Sequence, residues 1–299
     1  MLRKFLFVIS LGPLVVACNV NFLSGADAPE HPPKVWKGET GTTQEGHNHE
    51  QDGHDHGQNE DELKAAIEAL KARIASNPKD NQARLEIAEA YLRAFKFDES
   101  RAELEAVLKS DPKSVAALRG LGDVAMFQKD INGALAFRER LLKEHGDTED
   151  PDKVRREIFY LRLYDRIGPD SEKGKDFFQK VRDAASALRA GKHEEAVAAY
   201  TKALEIVPED PFVRTDLGAA LREAEKPEAS VEALSRAIKD EPKLEHARVE
   251  LARTLAEMGK SKDAISTLEA LARRSSSAAA RYDLEARMTR LKAGGKFDL

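Results

Sequence analysis

Residues 190–208 read Ala-Gly-Lys-His-Glu-Glu-Ala-Val-Ala-Ala-Tyr-Thr-Lys-Ala-Leu-Glu-Ile-Val-Pro. Apolar residues return every three or four positions and charged ones fill the gaps. Gly191 opens the stretch and Pro208 shuts it, the pattern of one amphipathic helix between two breakers. Displaced by 34 residues, the pattern returns: Pro208 recurs as Pro242, and earlier Pro78 recurs as Pro112. Small residues keep the same phase, Ala88 with Gly122 and Ala184 with Gly218 and Ala252. A second small column joins Ser100 to Ala134, and Ala196 to Ser230 and Ala264. Larger apolar columns hold too: Ile87 with Leu121, Leu217 with Leu251, and Tyr200 with Leu234 and Leu268. So many columns in one register do not arise by chance, and they predict a repeated helical unit.

From Asp61 onward the chain is a run of such segments, each about three to four helical turns long and separated by Pro, Gly or Asn-Pro signals. A 34-residue helix-turn-helix period, with small residues where two helices cross and a proline closing the second helix, resembles the tetratricopeptide repeat family. The resemblance covers about 79–146 and 175–276. It implies an all-α fold, a right-handed superhelical solenoid of helix-turn-helix repeats in two blocks, preceded by a disordered tether. Three positions depart from the family pattern: Asp183 replaces an apolar residue, Gly146 replaces the closing proline and Ser276 ends the last repeat.

One helical pair buries only one face, so the repeats must stack and their ends must be capped. The expected division is 61–146 for an N-terminal cap helix and repeats 1 and 2, 147–174 for a connecting aromatic-rich helix, 175–276 for repeats 3 to 5, and 277–299 for a C-terminal capping helix and tail. Glu62 to Ser76 is the first cap, through Ile67, Leu70 and Ile74. Ala278 to Lys292 is expected as one capping helix, with Tyr282 and Leu284 for packing and Arg281, Arg287 and Arg290 for solvent. Gly122 and Ala184 stand 62 residues apart, not a multiple of 34, so the repeat is interrupted between them. There Pro151 starts a helix whose stripe runs Val154, Ile158, Leu161 and Ile167 before the Gly168-Pro169 stop. Phe159, Tyr160 and Tyr164 lie on or beside the stripe. Core packing between the two blocks is the expected use of this helix, and a helix so inserted can bend or hinge a solenoid.

Composition agrees with an all-helical chain. Aromatic residues make up 6% of it and 34% of residues are charged, without the aromatic and β-branched surplus that sheets use. Lys+Arg number 48 and Asp+Glu 53, a net charge of −5, which argues against nucleic acid as a partner. One cysteine in 299 residues excludes an intramolecular disulfide framework.

That cysteine stands at a telling place. Arg3 and Lys4 precede an apolar run from Phe5 to Val16, too short to cross about 30 Å of hydrocarbon as a helix. The run ends in Val15-Val16-Ala17-Cys18, which resembles the bacterial lipobox. The resemblance implies a signal peptide over 1–17 and lipidation at Cys18. Several acyl chains, each methylene worth about 0.8 kcal/mol, would anchor the chain to a membrane. Asn19 in place of Asp implies, by the enteric sorting pattern, the outer membrane and not the inner, with the protein facing the periplasm.

Residues 18–60 are expected to form a disordered, His-rich tether. Pro29, Pro32, Pro33, Gly38, Gly41, Gly46, Gly53 and Gly57 punctuate it, and it has no apolar periodicity. Its mean span as a flexible chain is roughly 35 Å. Within it His47, His49, His54 and His56 hold half of the eight histidines, beside acidic residues. Two His-x-His pairs suit Zn or Cu, although the spacing matches no structural zinc motif. A solvated spacer is the other reading of the same residues.

No arrangement of catalytic residues emerges, and no small-molecule substrate is expected. Gly120-Leu121-Gly122-Asp123-Val124-Ala125 has the letters of a dinucleotide fingerprint but lies inside a helix with no preceding strand. Gly259-Lys260-Ser261 is an inter-helix turn, because Thr254 stands where a phosphate loop needs glycine. His145, His193 and His246 fall in different repeats. The chain is therefore expected not to be an enzyme. Stacked repeats line a concave face with their first helices, able to hold a peptide or a partner helix. The family's inward-facing positions fall on Arg119, Asp123, Phe127, Phe178, Arg182, Arg189, Phe212, Arg222 and Arg253, a mixture that suits an acidic and apolar segment. The Lys/Asn clamp of chaperone-tail adaptors is absent, since Leu85, Glu89, Gly120, Phe178 and Arg182 stand at its positions.

Three functions follow as expectations. The first is a membrane-anchored periplasmic scaffold for a protein partner in envelope assembly, of the outer-membrane biogenesis or pilus/secretin pilot type. The second is a factor in cytochrome c maturation that binds apocytochrome, because 62–97 looks like the start of periplasmic repeat domains of that kind. The third is a metal-binding lipoprotein that uses the His-rich tether.

Overall fold

The computed structural model describes residues 56–146 and 150–298. Cys18, His47, His49 and His54 lie outside the described residues, as does most of the expected tether. Fourteen helices and no strand occur among the described residues. They fall into two compact units, 56–144 and 145–298.

The first unit contains α1 (His56–Ser76), α2 (Asn81–Arg93), α3 (Phe97–Ser110), α4 (Val115–Phe127) and α5 (Ile131–His145). Helix α1 begins at His56, several residues before the expected start. Ile67 of α1 is buried with Ile87, Ala90 and Tyr91 of α2, the cap contact that the apolar stripe required. Helices α2/α3 and α4/α5 are the first two pairs. Asp80 and Ser114 cap α2 and α4, accepting from Ala83 N and Ala117 N, as acidic and hydroxyl side chains do at a helix start.

The second unit contains α6 (Pro151–Ile167), then the pairs α7 (Glu172–Arg189) and α8 (His193–Ile206), α9 (Pro211–Glu223) and α10 (Pro227–Asp240), and α11 (Glu245–Glu257) and α12 (Ser261–Arg274). Two short helices follow, α13 (Ser276–Arg281) and α14 (Leu284–Lys292). The single capping helix expected over 278–292 is thus broken: Asp283 adopts a left-handed conformation, φ 48°. Leu284, the first residue after the break, is fully buried in the core with Val249, Ala252 and Leu291.

The turn inside every pair is the same device. Phe95, Lys129, Gly191, Glu225 and Gly259 all have positive φ, between 57° and 75°. In each case the next amide reaches back to close the first helix, as in Lys96 N to Tyr91 O at 2.8 Å and Lys260 N to Leu255 O at 2.8 Å. The helices of a pair then cross at the small columns. Ser100 Oγ donates to Ala88 O at 2.8 Å and Ser230 Oγ to Gly218 O at 2.7 Å, contacts that a larger residue in either helix would prevent. Leu234 and Leu268 are fully buried at 0% exposure, each worth about 1.5–3 kcal/mol of transfer free energy. One member of this column departs: Arg138 stands 34 residues after Leu104 and is buried at 5% exposure. Its guanidinium donates to Arg119 O at 3.0 Å and pairs with Asp123. A side chain at Gly122 would collide with that guanidinium, so the glycine and the buried arginine are matched.

Candidate protein-binding face of the repeats

In the second unit the first helices of the pairs, α7, α9 and α11, carry six of the expected inward-facing residues. The chain itself covers much of that face. Helix α6 is laid across all three pairs, its start at α11 and its end at α7.

At the α11 end the Asp152 carboxylate accepts from His246 N at 2.6 Å, and Arg155 Nη1 donates to Lys243 O at 3.1 Å. Leu244 occupies the capping position of α11 and supplies no side-chain bond, so Asp152 satisfies this helix start from another element. Burial raises Asp152 to about 6 against the lowering effect of that bond and of Arg155.

In the middle, Arg156 pairs with Asp216 of α9 at 3.3 Å and lies over the Phe212 ring at 5.3 Å from its centroid. Phe159 meets Phe212 edge to face at 5.8 Å. Asp210 caps α9 through one oxygen, which accepts from Phe212 N and Val213 N at 2.9 Å each. The whole residue is buried, which raises its carboxyl to about 7 despite Arg156. Burial, with Asp210 next in weight, pushes the Tyr160 hydroxyl well above its ordinary range.

At the α7 end Tyr160 packs on Phe178 at 5.9 Å and on Phe177 at 6.3 Å. Arg166 pairs with Glu209. Aromatic edges and the Arg156 guanidinium face thus add to the burial of α6, geometry worth about 0.5–1.5 kcal/mol per pair beyond area.

The expected site residues have separate fates. Phe212 is 2% exposed beneath α6, and Phe178 is partly buried against it. Arg182 is partly buried and bonds Gln179 at 2.7 Å, while Arg189 is exposed. Arg222 reaches from α9 to α11, pairing with Glu250 at 3.5 Å and Glu257 at 3.1 Å. Arg253 pairs with Glu250 at 2.9 Å and also with Asp298 at 3.0 Å. In the first unit Asp123 is committed to Arg138, and Arg119 lies one turn earlier on α4. Phe127 stacks on Phe97 at 5.4 Å, and Phe97 meets the exposed Phe95 at 6.2 Å.

Sequence reasoning missed Asp152 and Arg156 as the residues by which α6 docks on this face, and it assigned Arg287 to solvent. Arg287 instead packs over Phe297 at 4.7 Å. One signal for Asp152 was present: polar caps at Asp80 and Ser114, and at Asp210, recur in the 34-residue phase that puts Leu244 next. An apolar residue in a capping column calls for a cap from elsewhere.

Among the described residues no cluster of His, Cys, Asp or Glu is arranged to hold a metal ion, and no helix is long and apolar enough to cross a membrane. His145, His193 and His246 are partly buried in different repeats. The histidines proposed for Zn or Cu are not among those described, apart from the backbone of His56 in α1.

Comparison with known proteins supplies the family. No curated protein matches the chain. Among solved structures, the TPR2AB-domain:pHSP90 complex of yeast Sti1 is 16% identical, with 79% of this chain and 94% of that chain covered and a TM-score of 0.37. A thermophilic TPR protein of Thermus thermophilus, TTC0263, is 19% identical, covering 71% and 99% with a TM-score of 0.31. MamA of Desulfovibrio magneticus RS-1 is 17% identical, covering 64% and 93% with a TM-score of 0.32. Two tetratricopeptide-repeat family profiles match, one at 187–249 and 221–288 and the other at 87–151. Their matches together span more than half of the residues, so the chain belongs to the tetratricopeptide-repeat family.

Proposed function

We propose that this protein is a non-enzymatic, lipid-anchored periplasmic scaffold that holds a protein partner in envelope assembly. The observation that carries the reading is the face formed by α7, α9 and α11, which already binds polypeptide through side chains. It holds α6 through His246 N, Asp216 and Phe212, which meet Asp152, Arg156 and Phe159 of that helix, and a tail segment through Arg253. A surface that offers a helix start without a local side-chain cap, ring faces and charged partners is equipped for peptide recognition. The lipobox-like Val15-Val16-Ala17-Cys18 and the approximately 40 residues after it support lipidation at Cys18 and a position above a membrane surface, with the outer membrane as its anchor.

The test is in-cell photo-cross-linking from Arg189, which is exposed on α7, in the full-length protein. One envelope machine recovered with the membrane fraction, and absent when the cross-linker sits at exposed Lys239 on α10, supports the scaffold. Equal or no recovery from the two positions overturns it. Cys18→Ser tests the anchor: the protein is expected to move to the soluble periplasmic fraction, and unchanged membrane association would remove lipidation from the proposal.

A further inference from the structure

After α14 the chain turns back on itself. Gly294 adopts φ 76°, and Gly295 N donates to Arg290 O at 2.9 Å. Phe297 then enters the core, 4% exposed, among Val249, Ala252, Leu284 and Leu291. Two guanidinium groups flank its ring, Arg287 at 4.7 Å and Arg253 at 5.5 Å from the centroid. The same two groups take the next side chain, one oxygen each: Arg253 Nε lies 3.0 Å from Asp298 Oδ2, and Arg287 Nη1 lies 3.2 Å from Asp298 Oδ1. Arg290 donates to the Phe297 carbonyl at 3.3 Å, so the backbone of the segment is held as well. Glu250 orients Arg253 from within α11 at 2.9 Å.

Filling a hydrophobic gap requires only the phenylalanine. The paired arginines add a different selectivity, because each reads a ring face and a carboxylate together, and the carboxylate they read is still 49% exposed. A charge so exposed contributes little to folding, whereas two guanidinium groups that each lie over the same ring and beside one oxygen of the same carboxylate respond to both features at once.

We propose that Arg253 and Arg287 form a recognition site for an aromatic–acidic residue pair in a partner protein, and that the chain's own Phe297-Asp298 occupies it in cis. The site deepens the scaffold reading and rests on it only in taking the ligand to be a protein segment. A tail on so short a tether competes at a local concentration on the order of millimolar. A partner therefore enters by presenting the pair with higher affinity, or in several copies.

The test uses the purified full-length chain carrying Phe297→Ala and Asp298→Ala together, with helix content checked by circular dichroism. A labelled peptide of residues 293–299 is titrated in. Saturable binding is expected, at least tenfold tighter than to the wild-type chain, whose own tail competes. Peptides with Phe→Ala or Asp→Asn are expected to bind at least tenfold more weakly, and Arg253→Gln or Arg287→Gln in the emptied chain to cause a similar loss. A folded, emptied chain that does not bind the peptide, or that binds all three peptides alike, overturns the proposal. Should the emptied chain lose helix content, the same question is put to the intact tail. A dye is placed at exposed position 296, by Lys296→Cys in a Cys18→Ser background, and reports whether the wild-type peptide displaces the tail. Displacement by that peptide and not by its Phe→Ala form supports the site, and displacement by neither or by both overturns it. Because this assay needs no membrane and no cellular partner, its failure leaves the scaffold reading to the cross-linking experiment.

Discussion

The Asp152 carboxylate caps helix α11 by accepting from the backbone N–H of His246 at 2.6 Å, across 94 residues of sequence. Caps elsewhere in the repeats are local; this one is a tertiary contact, and it ties α6 to the last pair. Asp152→Ala is expected to destabilise the second unit by about 1–2 kcal/mol, the range for loss of a cap. Asp152→Asn, which can still accept the bond, is expected to cost less. The urea midpoint measures the size, and amide exchange at His246 locates it. Unchanged exchange at His246 in the alanine variant would show that the bond does not hold the helix start.

Two buried carboxyls under or within α6 make stability depend on pH in an unusual direction. Burial raises Asp152 to about 6 and Asp210 to about 7 from an ordinary 3.8. The folded chain therefore keeps protons that the unfolded chain has released, and stability falls as pH rises from about 4 through these two values. The groups facing Asp210 are Arg156, Asp216 and Tyr160; those facing Asp152 are Arg155, Arg248, Asp150, Glu245 and Tyr282. Each carboxyl contributes up to about 1.4 kcal/mol per pH unit within its window. Urea midpoints at pH 5 and pH 8 are expected to be higher at pH 5, and Asp210→Asn, which keeps the cap, to flatten the difference. A midpoint that rises toward pH 8 in the wild-type chain would contradict the burial of these groups.

The repeats were legible because their determinants are periodic. Ala88, Gly218 and the left-handed turns at Phe95, Gly191 and Gly259 come back in one phase, so a sequence displaced against itself displays them. Arg138 is the instructive exception: it sits in a leucine column and is still buried, because Gly122 leaves room and Asp123 supplies a counter-charge. The docking of α6 was not legible, since a contact such as Arg156 to Asp216 joins residues with no common period. The return of Phe297 depends on a helix break at Asp283 and a turn at Gly294, single events that do not recur in the 34-residue phase.

Gly218 and Gly191 are glycines for different reasons, and alanine separates them. A Cβ at Gly218 would stand 2.5 Å from Leu234 Cγ, at the crossing of α9 and α10. Gly218→Ala is therefore expected to cost about 1–3 kcal/mol by overpacking, partly offset by about 1 kcal/mol of helix propensity. At Gly191 nothing lies within 4 Å, but φ is +70°, so Gly191→Ala is expected to cost about 1 kcal/mol through backbone strain alone. Adding Leu234→Val in a double mutant should recover part of the first loss and none of the second. Equal responses to Leu234→Val would refute the crossing argument.

Phe95 holds the turn position that Gly191 and Gly259 hold in later repeats, with φ 57°, and its side chain is 61% exposed. A large residue there bears left-handed strain of about 1–2 kcal/mol, against which its edge contact with Phe97 at 6.2 Å returns less. Phe95→Gly is expected to leave the first unit as stable as before or to stabilise it by up to about 1 kcal/mol, measured by thermal unfolding. An increase means that the fold does not need the exposed ring, and Phe95 then becomes the residue of choice for a second cross-linking site on α2/α3. A decrease above about 0.5 kcal/mol would instead make the Phe95, Phe97 and Phe127 stack a structural element whose contacts outweigh the strain.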